Sequence, residues 1–170
     1  MKRSSLLAVA LTLLAILIAA SPAAATAATR TFTAHLTGEQ VVPTAQTRAT
    51  GQATLRTNSD GTQLEFRLNV ANIENVTQAS LHLGAPGQNG EVVAVLYGPA
   101  QSGGGRVSGT LAKGTITGAS LVGSLAGRPL ADLISAMQAG TIYIDVVTGS
   151  GDPEQKPGNM LNGEIRGQVR

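Results

Sequence analysis

From residue 30 onward, apolar and polar positions alternate with a period of two, the spacing that puts successive side chains on opposite faces of a β-strand. Phe32, Ala34 and Leu36 fall on one face, and Thr31, Thr33, His35 and Thr37 on the other. The run Gly38-Glu39-Gln40-Val41-Val42-Pro43 interrupts the pattern, because Pro43 has no N–H to give to a ladder. Alternation resumes with Ala49, Gly51, Ala53 and Leu55 inward and Arg48, Thr50, Gln52, Thr54 and Arg56 outward. Asn58-Ser59-Asp60-Gly61 reads as a turn in which the glycine takes positive φ. Leu64, Phe66, Leu68 and Val70, set against Glu65, Arg67 and Asn69, then complete a hairpin.

After a connection over residues 72–75, Ala79, Leu81 and Leu83 alternate with Gln78, Ser80 and His82, so Ser80 and His82 share a face. Residues 84–90 are a turn dense in Gly, Pro and Asn, and residues 92–96 form an almost wholly apolar strand, expected to be buried. A glycine-rich loop precedes a strand carrying Val107, Gly109 and Leu111, and residues 115–121 suggest one more short strand. One segment changes period. Leu130, Leu133, Ile134 and Met137 stand at i, i+3, i+4 and i+7, with Pro129 at the first helical position and Gly140 after the last turn. That is a short amphipathic helix whose stripe packs on the core. Residues 141–148 return to strand, Ile142, Ile144 and Val146 opposing Tyr143, Asp145 and Val147, and residues 161–170 make a final strand with Ile165 and Val169 inward. The expected fold is all-β, an antiparallel β-sandwich or Greek-key barrel with one short late helix.

The first residues follow a different rule. Met1-Lys2-Arg3 is a short positive start, residues 6–20 are an apolar run broken by Thr12 alone, and Ser21-Pro22-Ala23-Ala24-Ala25-Thr26-Ala27 ends in small residues. This is the layout of a secretory signal peptide, residues 1–27, cleaved after Ala25 or Ala27. The apolar run is shorter than the roughly 20 residues of a membrane-spanning helix. No membrane span is therefore expected after cleavage, and the remaining residues 28–170 amount to one domain, secreted or held in the cell envelope.

Removing the segment also removes two of the twelve basic residues and no acid, leaving ten basic against ten acidic side chains. The basic balance belongs to the export signal. A near-neutral domain with almost no aromatics has neither the Lys/Arg stripe nor the stacking platform of a nucleic-acid binder, so nucleic acid is not expected as a partner. The chain has no cysteine, which excludes disulfides, thiol catalysis and cysteine-bound metal.

Candidate chemistry is sparse. His35 and His82 are the two histidines, so a nucleophilic triad has few bases to draw on. Gly118-Ala119-Ser120-Leu121-Val122-Gly123 lacks the closing glycine of a nucleophile elbow, and Gly103-Gly104-Gly105 lacks the Lys and the helix of a phosphate loop. Asp145, Asp152 and Glu154 do not have calcium-loop spacing and read as loop carboxylates. Asn75-Val76-Thr77 fits an N-glycosylation acceptor, and Glu164 and Arg166 share a face, as in a structural ion pair across a sheet.

Four segments, in order, resemble the CHRD domain, the module repeated in the animal developmental antagonist chordin and found alone in exported bacterial proteins. Residues 32–43 are similar to its "F-x-A-x-L-x-G-x-x-E-V-P-P", and residues 77–90 to its "T-x-A-H-I-H-x-G-x-x-G-x-N-G". Residues 133–148 are similar to "L-x-x-A-x-x-x-G-x-x-Y-V-N-V-H-T", and residues 162–169 to "G-G-E-I-R-G-Q-I". The family's paired and third histidines form an imidazole cluster suited to copper or zinc, similar to the histidine-bearing strands of copper–zinc superoxide dismutase. Here Ser80 and Val147 replace two of them, and Asp145 stands for the family's Asn.

The resemblance implies an extracytoplasmic CHRD-like β domain, and with the sparse chemistry above the expectation is an exported module without catalytic residues or a cofactor, binding or surface-associated. Its partner is expected to be an extracytoplasmic protein or surface component. Its contact surface is expected at residues 84–90 and 149–158, with Ser80, His82, Gln88 and Asn89 on it. The alternative is a metal-holding or redox protein of dismutase-like architecture with a degenerate copper or zinc site at His82 and Asp145.

Overall fold

The computed structural model describes residues 28–149, 160 and 162–170. The expected signal segment and most of the expected contact loop at 149–158 lie outside the described residues. Eight strands and one helix follow in order: β1 (Thr31–Thr37), β2 (Thr50–Thr57), β3 (Leu64–Glu74), β4 (Val76–Leu83), β5 (Glu91–Tyr97), β6 (Arg106–Ile116), α1 (Leu130–Gln138), β7 (Ile142–Thr148) and β8 (Ile165–Gln168). They form one antiparallel sheet in the order β5-β4-β7-β8-β1-β2-β3-β6, curled into a nearly closed barrel. The seam lies between β5 and β6. There the chain after β6 crosses over, Leu121 bridging Ala94 and the Val122 amide donating to the Val93 carbonyl at 2.9 Å.

The alternating pattern explains most of this. Phe32, Ala34 and Leu36 of β1, and Gly51, Ala53 and Leu55 of β2, are all buried, with the intervening residues outside. The β2–β3 hairpin closes on Asn58, whose Oδ1 accepts from the amides of Thr62 and Gln63, both at 3.0 Å, while its own amide donates to the Gln63 carbonyl. Leu36, Leu55, Leu64, Leu68, Ile73, Leu81, Ile116, Ile142 and Ile144 fill the barrel, and α1 adds Leu133 and Met137. Each such side chain contributes about 1.5–3 kcal/mol by leaving water. The core is thus spread over every strand rather than concentrated in one.

Several elements differ from the expected pattern. β3 runs on through the expected connection to Glu74, and a single residue, Asn75, separates it from β4, with which it does not pair in the sheet. Asn72 and Asn75 make that corner with φ of 54° and 58°, a left-handed conformation that asparagine tolerates. β5 is an end strand of the sheet, buried at Val93, Ala94 and Leu96 as expected but with Val95 43% exposed. β6 is one long strand through Ile116, after which residues 118–120 turn in a 3-10 helix, so the separate strand at 115–121 does not form. α1 begins at Leu130, with Pro129 as its extended cap rather than its first helical residue. β8 covers only Ile165–Gln168, and its residues are buried on both faces.

Candidate functional site

The chemistry-bearing residues collect on the outer face of β4, β7 and β8. Register places Ser80, Asp145 and Arg166 in one row across these strands, and His82, Tyr143 and Gln168 in the next. Alternation puts these side chains outside the barrel, yet Ser80 is 2% exposed, Tyr143 and Arg166 3%, Asp145 8% and Gln168 8%. The face is covered by residues 84–90, by the connection after β1 and by the approach to β8.

Arg166 organises the cover. Its guanidinium donates to the Ala85 carbonyl (3.2 Å), the Gln88 carbonyl (2.8 Å) and Asn89 Oδ1 (3.1 Å), and it lies 3.5 Å from the centre of the Tyr143 ring. A fixed planar cation of this kind can hold several acceptors of one loop at once. Asn89 carries the tie further, its Nδ2 donating to the Val42 carbonyl at 2.7 Å. Gln168 pins the same region from below, its Nε2 donating to the carbonyls of Gly84, Gly140 and Ile142. A cleft of about 320 Å³ opens beside this cluster, walled by Val42, Pro43 and Pro86 and floored by Arg166, Gln168 and Arg170.

Tyr143 stands between neighbours from the two flanking strands, with His82 stacked on it at 4.8 Å. Its hydroxyl accepts from the Gly90 amide at 3.0 Å. The Gly90 carbonyl can only accept, so His82 Nδ1, 2.9 Å away, carries the proton and donates, leaving the lone pair on Nε2. Burial lowers the His82 pKa below its usual value, and the Arg166 charge acts in the same direction against the opposing Gly90 bond.

Asp145 has no comparable support. Its Oδ1 is buried without a hydrogen-bond partner. Burial pushes its pKa up to about 7, with the Arg166 charge and the Val146 amide pulling it back only in part. Gly163, at φ 98°, passes so close that a Cβ there would collide with Asp145 Oδ1. Glu164, in contrast, is bound, accepting from Thr47 Oγ1 at 2.7 Å and Thr148 Oγ1 at 2.8 Å. Arg166 is committed to the loop instead, so the two residues do not act as the cross-sheet pair their shared face suggested.

The structure brings His82 and Asp145 to one face but not together, since His82 opposes Tyr143 and Asp145 opposes Ser80. Gln88 and Asn89 are exposed on the loop. Ser80, expected on the same surface, is buried and accepts from Gln78 Nε2 at 2.8 Å, because the outer face of β4 is covered where a free sheet would be wet. Ser80, His82 and Asp145 are not a triad either, for the His82 Nδ1 proton goes to a backbone carbonyl rather than to the carboxylate. The positions of the family's three histidines, 80, 82 and 147, do converge, Val147 opposing Gln78 on the same face. With Ser and Val at two of them, no group of three His, Asp or Glu able to hold a metal forms among the described residues. One imidazole does not fit a tight copper or zinc site. Asp152 and Glu154 lie outside the described residues. Asn75 of the glycosylation pattern is half-buried at the barrel corner, its Oδ1 accepting from the Gly103 amide.

Three members of the cluster escaped the sequence reading: Tyr143, Gln168 and the clamping role of Arg166. The available signal was the closing run Glu164-Ile165-Arg166-Gly167-Gln168, in which three long polar side chains share one face of a short strand. No curated protein and no solved structure matches the chain. The CHRD domain model matches residues 32–169, which takes in every strand from β2 to β8 and nearly all of β1, and the chain therefore belongs to the CHRD domain family.

Proposed function

We propose that the protein is an exported, non-catalytic binding module whose contact surface is the loop 84–90 and the cleft beside it. The observation that carries this reading is the use of Arg166. A nearly buried guanidinium at the floor of the cleft is spent on Ala85, Gln88 and Asn89 of the loop. Burying and committing a cation in this way pre-organises the loop, which lowers the ordering cost of binding. The exposed Gln88 then meets the partner, an extracytoplasmic protein or surface component, on a surface that Asn89 and Arg166 have already set. The signal-like residues 1–27 support export and support a location outside the cytoplasm.

Two measurements test this reading. Amino-terminal sequencing of the protein recovered outside the cytoplasm should begin at residue 26 or 28. Envelope or surface material retained by the purified protein should be lost on Gln88→Ala, which leaves the Asn89 ties to Arg166 and Val42 in place, while the far-UV circular dichroism stays unchanged. Retention by this variant equal to that of the parent refutes the loop as the contact surface.

A second reading, a metal-holding or redox protein of dismutase-like architecture, draws on one observation. His82 donates through Nδ1 to a carbonyl and keeps the Nε2 lone pair, the arrangement of a metal-ligating histidine. Stoichiometric copper or zinc in the purified protein, lost on His82→Ala, would favour it over the first. A melting temperature and composition unchanged by added metal would remove it.

A further inference from the structure

The loop 84–90 follows the end of β4, and a second cleft lies where β4 begins. Its volume is about 620 Å³, close to twice the 320 Å³ of the cleft beside Arg166. Four parts of the chain border it: residues 46–48 ahead of β2, Asn72 and Glu74 at the end of β3, Arg106 at the start of β6, and Glu164 ahead of β8. None of these residues borders the cleft of the loop site. The walls are fixed by bonds of their own. Glu164, 1% exposed, accepts from Thr47 Oγ1 at 2.7 Å, and that hydroxyl accepts in turn from the Ala49 amide at 3.0 Å, so the entry to β2 is held. On the other side the Asn72 amide donates to Ser108 Oγ at 3.2 Å and ties the left-handed corner of β3 to β6. The charges on these walls, in contrast, are left unused. Glu74 and Arg106 are direct cross-strand partners of opposite sign, both exposed, yet no ion pair joins them. Arg48 and Arg106 make neither an ion pair nor a side-chain hydrogen bond among the described residues. Exposed ion pairs are worth little, so a ligand that takes up both charges meets little competition from Glu74 and Arg106 pairing with each other.

We propose that this cleft binds a small zwitterion, a free amino acid or short peptide, whose carboxylate is held by Arg48 and Arg106 and whose ammonium is held by Glu74. The presence of both signs of charge selects this class. Two guanidinium groups repel a bare cation, and Glu74 with the buried carboxyl of Glu164 disfavours a polyanion. None of the described residues lining the cleft is aliphatic or aromatic, so it offers nothing to an apolar ligand and no platform on which a nucleobase could stack. The planar fork of a guanidinium matches a carboxylate, and the amides of Gln46 and Asn72 supply donors and acceptors of the kind a peptide group pairs with. The volume falls within the roughly 300–1,000 Å³ of small-ligand sites. This site goes beyond the loop reading and does not depend on it.

The test is a titration of the purified, isotope-labelled protein with glycine and with triglycine, each also in a form with its amine acetylated or its carboxylate amidated, followed through the backbone amide chemical shifts. The expected result is saturable shifts at residues 46–48, 72–74 and 106 with at least one of the two free ligands at millimolar concentration, and the tighter of them tells an amino acid site from a peptide site. Blocking either end should weaken binding at least tenfold, the size of one charge-assisted hydrogen bond, and so should Arg106→Gln or Glu74→Gln. In Glu74→Gln the further loss on acetylation should disappear, because the acetyl group and the substitution remove the same contact. Arg56→Gln, which removes an exposed charge on β2, should leave the affinity unchanged. Absence of saturable shifts with both free ligands overturns the assignment, as does equal binding of free and blocked forms. Inorganic phosphate that shifts the same amides through Arg106 but not through Glu74 overturns the zwitterion in favour of a simple anion. Gln88→Ala should bind the free ligand as the parent does, so failure of this site and failure of the loop reading are told apart.

Discussion

Replacing Asp145 by Asn should change the stability of the protein in a way that depends on pH. Asp145 titrates near 3.8 in the unfolded chain and at about 7 in the folded one, because folding removes its carboxylate from water without giving Oδ1 a partner. Below pH 3.8 both states hold the proton. Between 3.8 and about 7 the folded state holds a proton that the unfolded state has released, so stability falls as pH rises, by about 1.4 kcal/mol per unit for this group. Across the whole window the loss comes to roughly 4 kcal/mol, a large share of the 5–15 kcal/mol of an ordinary domain. Asn has nearly the same shape and no charge to desolvate, so Asp145→Asn should show little benefit near pH 4 and gain steadily toward pH 8. His82 works the other way, its lowered pKa removing stability as pH falls below 6.5, but that contribution is common to both proteins and cancels in their difference. The chain has no tryptophan, so urea unfolding is best followed by far-UV circular dichroism at a series of pH values from 4.5 to 8.5. A difference between the two proteins that stays constant over that range refutes the desolvated carboxylate.

Three further outcomes follow from named contacts. Gly163→Ala should cost about 1–3 kcal/mol in urea unfolding, since it forces a left-handed backbone on alanine and drives its Cβ into Asp145. Tyr143→Phe should cost about 1 kcal/mol and speed amide exchange at Gly90, whose N–H loses its hydroxyl acceptor. Lys113→Gln should raise stability by a few tenths to about 1 kcal/mol by relieving its repulsion with Arg67, and a thermal melt showing a loss instead contradicts that account.

Most of the barrel was legible in the chain because its strands obey one simple rule. In β1 and β2 every residue expected inside is buried, since a half-wetted antiparallel strand advertises its two faces in its own alternation. Where the rule fails, the reason is a neighbour distant in sequence. β5 looks like a central strand by composition, and its place at the end of the sheet follows from β4 pairing with β7 on its other side. β3 and β4 are separated by one residue yet lie far apart in the sheet, which local pattern does not encode.

The candidate site divides in the same way. Sequence by itself determined that the domain is all-β, that it resembles the CHRD family, and that positions 80 and 82 share a face while two of the family's three imidazoles are gone. These follow from residue identity and a period of two. Only the tertiary structure decided that the polar face of β4, β7 and β8 is covered, that Arg166 is the clamp of the loop rather than a partner of Glu164, and that Asp145 is a buried acid whose Oδ1 has no partner. Alternation says which side of a strand a residue occupies, but whether that side meets water depends on loops that return from elsewhere in the chain, and burial in turn sets each group's charge and reach.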